Sequence, residues 1–204
     1  MLINNFTFKR ISAYFIDFII VAFIAAIFSE FAIINPYYDE YYDTYESYNE
    51  FLDNIENVND KDVLIKLENY TYDIAKYGVY FTIITCVVSF LYYSICQYYS
   101  DGKTLGKALF KLKIVGKRNK RVAFFQMIIR TFLINSILVY ALTILFVFML
   151  NKQYCLLGLS IIEIFDYFFI FVSITMILFR KDNKGLHDLI SGTMVIEEKC
   201  KQVE

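Results

Sequence analysis

The sequence predicts an all-α integral membrane protein, a bundle of four transmembrane helices with both termini in the cytoplasm. Three observations predict it: long apolar runs, alternation of basic and non-basic segments between them, and a composition too apolar for a soluble domain. Of 204 residues 58% are hydrophobic, and the mean hydropathy is +0.47, against roughly 45–50% apolar content in soluble domains. At this length the chain, 1–204, is a single membrane domain with no room for a large soluble one.

Crossing the hydrocarbon core takes roughly 17–25 mostly apolar residues as a helix. Four stretches qualify, at about 11–34, 77–99, 124–150 and 154–179, and the only proline, Pro36, lies just past the first. That first stretch is too long for a cleaved signal sequence and is interrupted by Asp17, so it is expected to be retained.

Charge then orients the chain. Lys9 and Arg10 precede the first span. Between the second and third come Lys103, Lys107, Lys111, Lys113, Lys117, Arg118, Lys120 and Arg121, against Asp101 alone, and Arg180, Lys181 and Lys184 follow the fourth. Residues 35–76 form an acidic, tyrosine-rich loop instead. By the positive-inside rule the basic segments are cytoplasmic and the loop is extracytoplasmic, which implies a multi-pass protein of the cell membrane. Within the loop, Phe51, Leu52, Ile55 and Val58, then Val63, Leu64, Leu67 and Ile74, recur at helical spacing. Ser47 and Glu50 fit a capping box that opens the first of these helices, and the tyrosines are expected at the level of the lipid headgroups.

In the basic connection, Asp101-Gly102 reads as a turn. Thr104 caps a short interfacial helix, with Leu105, Leu109 and Phe110 toward lipid and Lys103, Lys107 and Lys111 at the headgroups, joined by Lys113. "KLKIV" and, near the C-terminus, "TMVIE" alternate as strands do and can pair. The expected partner of this belt is anionic lipid of the inner leaflet, at about 1 kcal/mol per basic side chain. "GKTLGK" lacks the glycine spacing of a phosphate-binding loop, and no nucleic-acid partner is expected. The cysteines, Cys86, Cys96, Cys155 and Cys200, show no metal spacing, and His187 is the only histidine. No metal, cofactor or enzymatic activity is expected, there being no H-E-x-x-H and no Ser/His/Asp set.

Ionisable residues inside the spans carry most information, because a charge at the bilayer centre costs about 2.5–3.5 kcal/mol on insertion scales. Arg10, Tyr14 and Asp17 follow at i, i+4 and i+7 on one helical face. Asp17 lies roughly 9–10 Å into its helix. Arg130, six residues into the third span, reaches nearly the same depth, so an Asp17–Arg130 ion pair is expected if those helices touch, with Arg10 snorkelling to the headgroups. The fourth span carries Glu163 and Asp166 on one face, Asp166 roughly 20 Å from the inner end. Intramembrane carboxylates of this kind are the usual proton or cation handles of transporters. His187 and Asp188, adjacent in sequence, suit a polar latch rather than an acid–base pair.

"RISAYFID", "GKTLGKALFKLKIV", "IIRTFL" and "GLHDLISGTMVI" occur in this order, and in them the chain resembles RDD-family membrane proteins over nearly its whole length outside the acidic loop. The resemblance implies that Arg10 and Asp17 are the family's first-helix arginine and aspartate and that Asp188 is its further aspartate. It also implies transport of some ligand, since some members look like sodium/proton antiporters. "VGKRNKRV" departs from the family pattern in lacking an aspartate–glycine turn, and Lys111 stands where a glycine is frequent. The expected function is that of a small transporter exchanging a monovalent cation for protons. Asp17, with Asp166 or Glu163, would titrate, Arg10 and Arg130 would tune, and a homodimer would thicken the wall of the pathway. The alternative is a non-transporting accessory or assembly protein that binds partners through the outer loop or the basic belt.

Overall fold

The computed structural model describes residues 5–55 and 60–198. Helix α1 (Asn5–Ser29) contains neither glycine nor proline, and Ala13, Asp17, Val21, Ala25 and Ser29 are buried at every fourth position. That spacing aims one stripe at the rest of the bundle. The helix ends five residues before the expected end of the first span. Ser29 turns its hydroxyl back on the Ala25 carbonyl (2.8 Å) and Asn35 Nδ2 takes the Ser29 carbonyl (3.3 Å), while Pro36 holds its predecessor away from helical geometry.

Helix α2 (Tyr38–Asp53) comes next. Ser47 and Glu50 lie inside it, so they do not open it; Asp39 and Glu40 occupy its first turn, where carboxylates suit the positive end of the helix dipole. Val58, expected on the same apolar face, lies outside the described residues. Helix α3 (Lys61–Phe90) starts at Asp60, whose side chain accepts from the Asp62 amide. It continues through a π-helical turn at Leu91–Cys96 into α4 (Gln97–Tyr99), making one rod of 39 residues, roughly 58 Å at 1.5 Å per residue. The expected second span and the helix before it are therefore continuous. The α2 tyrosines pack on the outer half of this rod: the Tyr41 and Phe81 ring centroids lie 4.8 Å apart, and those of Phe51 and Tyr70 5.5 Å apart. Gly78 admits this approach, since a Cβ there would sit 3.0 Å from the Tyr41 ring.

The expected third span is broken. Helices α6 (Phe124–Ile134) and α7 (Ile137–Met149) meet at 67°. Ser136 at the break has a left-handed backbone (φ 51°), which a continuing right-handed helix cannot include, and gives its hydroxyl to Asp166 (2.7 Å). Helix α8 (Lys152–Phe179) is intact and buries only Cys155 and Ser173. Among the described residues three helices are long and apolar enough to cross a membrane, or four if the bent pair counts as one span.

At the basic end, α5 (Leu105–Leu109) and β1 (Leu112–Gly116) precede α6, and α9 (Leu186–Ser191) and β2 (Thr193–Glu197) follow α8. The expected pairing forms: β1 and β2 are antiparallel, with Leu112 opposite Glu197 and Gly116 opposite Thr193. Beneath them Ala13, Leu112, Ile114, Val122, Met127 and Val195 make a small core. Phe110 packs against that core instead of reaching into lipid, while Leu105 and Leu109 stay exposed as expected.

Candidate functional site

The charged side chains inside the fold gather into two clusters. The first surrounds Asp17, which is fully buried. Its carboxylate accepts from Tyr92 Oη (2.7 Å), Thr104 Oγ1 (2.5 Å) and the Gly106 amide (2.8 Å), and Lys107 Nζ lies 3.6 Å away. Each donor is placed by local structure. The π-helical turn carries Tyr92. Thr104 is the N-cap of α5, accepting from the Lys107 amide. At Gly106 a Cβ would stand 2.2 Å from the Ala13 carbonyl and 2.9 Å from the Asp17 carboxylate, so a glycine lets α5 lie directly on α1. Burial pushes Lys107 down to about 8, with Asp17 opposing the shift.

The second cluster is centred on Asp188, also fully buried. It accepts from Arg10 Nη2 (2.8 Å), from Arg130 Nη1 and from the Gly185 amide (3.0 Å). Arg10 also donates to the Asn183 carbonyl, and Arg130 to Thr193 Oγ1 (3.0 Å). Burial alone would raise the Asp188 carboxyl, but Arg130 and Arg10 outweigh it and hold the group well below the usual carboxylate range.

The ion pair expected between Asp17 and Arg130 is thus not made: Arg130 binds Asp188, and Asp17 is taken by Lys107 and α5. Arg10 does not snorkel to headgroups but is buried on Asp188, its side chain 8% exposed. Lys107 faces inward too, its side chain 13% exposed. Lys103 and Lys113 reach Glu198, at 2.7 and 3.5 Å, and the Lys111 carbonyl accepts from the Glu198 amide. Asp166 is half-buried at the α6–α7 break, whereas Glu163, one turn away on α8, is exposed.

His187 lies beside the second cluster. Its Nδ1 shares a hydrogen bond with Ser173 Oγ (2.6 Å), and its buried Nε2 makes no hydrogen bond among the described residues but lies 3.5 Å from Asp188 Oδ2. Burial, reinforced by Arg130, pushes its pKa down to about 3 from 6.5, so it folds neutral and contributes stability that is present above pH 6.5 and lost as pH falls toward 3. We expect the unfolding free energy to drop by about 1.4 kcal/mol per pH unit in that window, and His187→Gln to flatten that portion of the profile. Identical pH profiles for the two proteins would contradict it.

Both clusters border a cavity of about 290 Å³. Arg10, Lys107, Arg130 and His187 line it, and Ile11, Ile134, Ile170 and Ile174 from α1, α6 and α8 give it apolar walls. Sequence reasoning missed Tyr92, Gly106, Lys107 and Asn183 as cluster members. The available signal was local: a capping threonine and a glycine flanking a lysine, ahead of an apolar run.

The family model described as the RDD family matches residues 6–192, a stretch that includes the residues of both clusters except Thr193, which lies one position beyond it. No curated protein and no solved structure matches the chain.

Proposed function

This chain belongs to the RDD family of membrane proteins, and from that premise we propose that it is a small membrane transporter exchanging a monovalent cation for protons at Asp166. The observation that carries the reading is the broken span. Two half-helices meet at 67° beside a half-buried carboxylate in the middle of α8, 2.7 Å from the Ser136 hydroxyl. Discontinuous helices of this kind build ion sites in transporters, where freed backbone carbonyls and helix C-termini coordinate the cation. One carboxylate that holds a proton or a cation, never both, couples the two movements. Glu163, exposed one turn away on α8, stands on the route by which a cation reaches Asp166.

Asp17 and Asp188 have structural roles in this reading, because protein donors already occupy their oxygens. The basic end, rich in lysine and arginine, faces the cytoplasm of the cell, as the positive-inside rule requires. In proteoliposomes carrying a pH gradient, sodium or potassium is expected to drive proton flux in the wild type, and Asp166→Asn to abolish it without lowering the unfolding midpoint. Equal flux in the two would remove Asp166 from the mechanism.

A second reading has its own observation. With its rings turned onto α3, α2 leaves Asp39, Glu40, Asp43, Glu46 and Glu50 exposed, an acidic face suited to a basic partner. Loss of a co-purifying protein on neutralising these five, with flux unaffected by Asp166→Asn, would favour an accessory role.

A further inference from the structure

We propose that the cavity between α1, α6 and α8 binds one anionic phospholipid, its phosphate on Arg10, Lys107 and Arg130 and one acyl chain lying between α1 and α8. The site is separate from Asp166, and the inference stands without the transport reading.

Charge is the first argument. Arg10, Lys107 and Arg130 face Asp17 and Asp188. Asp17, 3.6 Å from Lys107 Nζ, favours the protonated lysine, and burial keeps His187 neutral. One positive charge is left over in a buried place, where an unbalanced charge is strongly unfavourable.

Unused donors are the second. Arg130 makes both of its bonds from Nη1, although a guanidinium has five N–H donors, and it lines the cavity. His187 lines it as well, 1% exposed, its Nε2 making no hydrogen bond among the described residues and lying 3.5 Å from Asp188 Oδ2. Phosphate oxygens supply the acceptors that these groups lack, and charge-assisted bonds to them are strong. Basic pockets between membrane helices hold anionic head groups in this way.

Shape is the third. Ile11 and Ile174 both line the cavity and are each 47% exposed, so it opens sideways through an apolar mouth between α1 and α8. A soluble anion would have to shed water to pass such a mouth; a lipid phosphate arrives with its chain already in the apolar layer. At about 290 Å³ the cavity sits at the small end of ligand pockets, roughly 300–1,000 Å³. It takes part of one chain, and the other chain stays in the bilayer.

The test uses purified full-length protein reconstituted in equimolar phosphatidylcholine and phosphatidylglycerol, extracted in mild detergent and weighed by native mass spectrometry. One phosphatidylglycerol per chain is expected, retained about tenfold over phosphatidylcholine, with the adduct falling about fivefold in Ile174→Trp, which fills the mouth. Ile170→Trp, on the preceding turn, gives the same loss by a second route, and Ile164→Trp, on the exposed side of α8, leaves the adduct unchanged. Absence of the adduct, equal retention of both lipids, or an adduct undiminished in both cavity variants each overturns the proposal. So does inorganic phosphate that raises the unfolding midpoint of delipidated protein as much as phosphatidylglycerol does, since the anion would then be a soluble one.

Discussion

Asp188→Ala is expected to destabilise the chain by about 3–5 kcal/mol, the cost of breaking a buried ion pair by removing one partner. Here one carboxylate is shared by two guanidinium groups, Arg10 and Arg130, with side chains only 8% and 5% exposed. Without it both cations stay buried and repel each other, and the Gly185 amide loses its acceptor. Arg10→Met should cost less, about 1.5–3 kcal/mol, because Arg130 still balances Asp188. Chemical unfolding of the purified protein in detergent measures both. If Asp188→Ala cost no more than Arg10→Met, Asp188 would not be the element that holds the two arginines.

Asp17→Asn is expected to cost about 3–5 kcal/mol for the same reason, although it preserves shape. The amide leaves Lys107 without a counter-charge and turns an N–H₂ group toward donors: Tyr92 Oη, Thr104 Oγ1 and the Gly106 amide. Because the damage comes from an uncompensated lysine, Lys107→Met should repair part of it. The double variant is expected to be more stable than the sum of the single losses implies, by about 1–3 kcal/mol of coupling. Strict additivity would mean that Asp17 acts on α5 through its hydrogen bonds alone. A loss of flux in Asp17→Asn therefore has to be read beside its unfolding midpoint, whereas Asp166, half-buried and holding one hydroxyl, can be changed with little structural cost.

Much of the fold was legible because long apolar runs, charge asymmetry and two short alternating segments report on burial and periodicity directly. The break at Ser136 was not. Hydropathy measures transfer from water to lipid, and Asn135-Ser136 is too short an interruption of an apolar run to register in it. The outer helix was misplaced at its start, since Ser47 and Glu50 satisfy a capping pattern while the tyrosine-rich run before them already winds as a helix against α3.

Within the two clusters, sequence reasoning named Asp17 and Arg130 but paired them with each other, a pairing the structure does not make. Depth along a helix axis is one coordinate; the direction in which a side chain leaves the axis is another, set by which helices touch. Residue spacing puts Asp17 and Arg130 at similar depth, yet α5 lies on α1 at Gly106 and takes Asp17, leaving Arg130 to Asp188. Lys107 was placed at the headgroups because a helix of five residues is too short for periodicity to say which face is inside.

Arg10 and Asp188 are 178 positions apart in the chain. During synthesis α1 is made long before its counter-charge leaves the ribosome, so the nascent protein carries an unmatched guanidinium at Arg10 until Asp188 is translated. The ionic knot therefore cannot close before Asp188 has been made, long after both arginines are in the chain. A chain cut short before Asp188 keeps Arg10 and Arg130 without the carboxylate that they share.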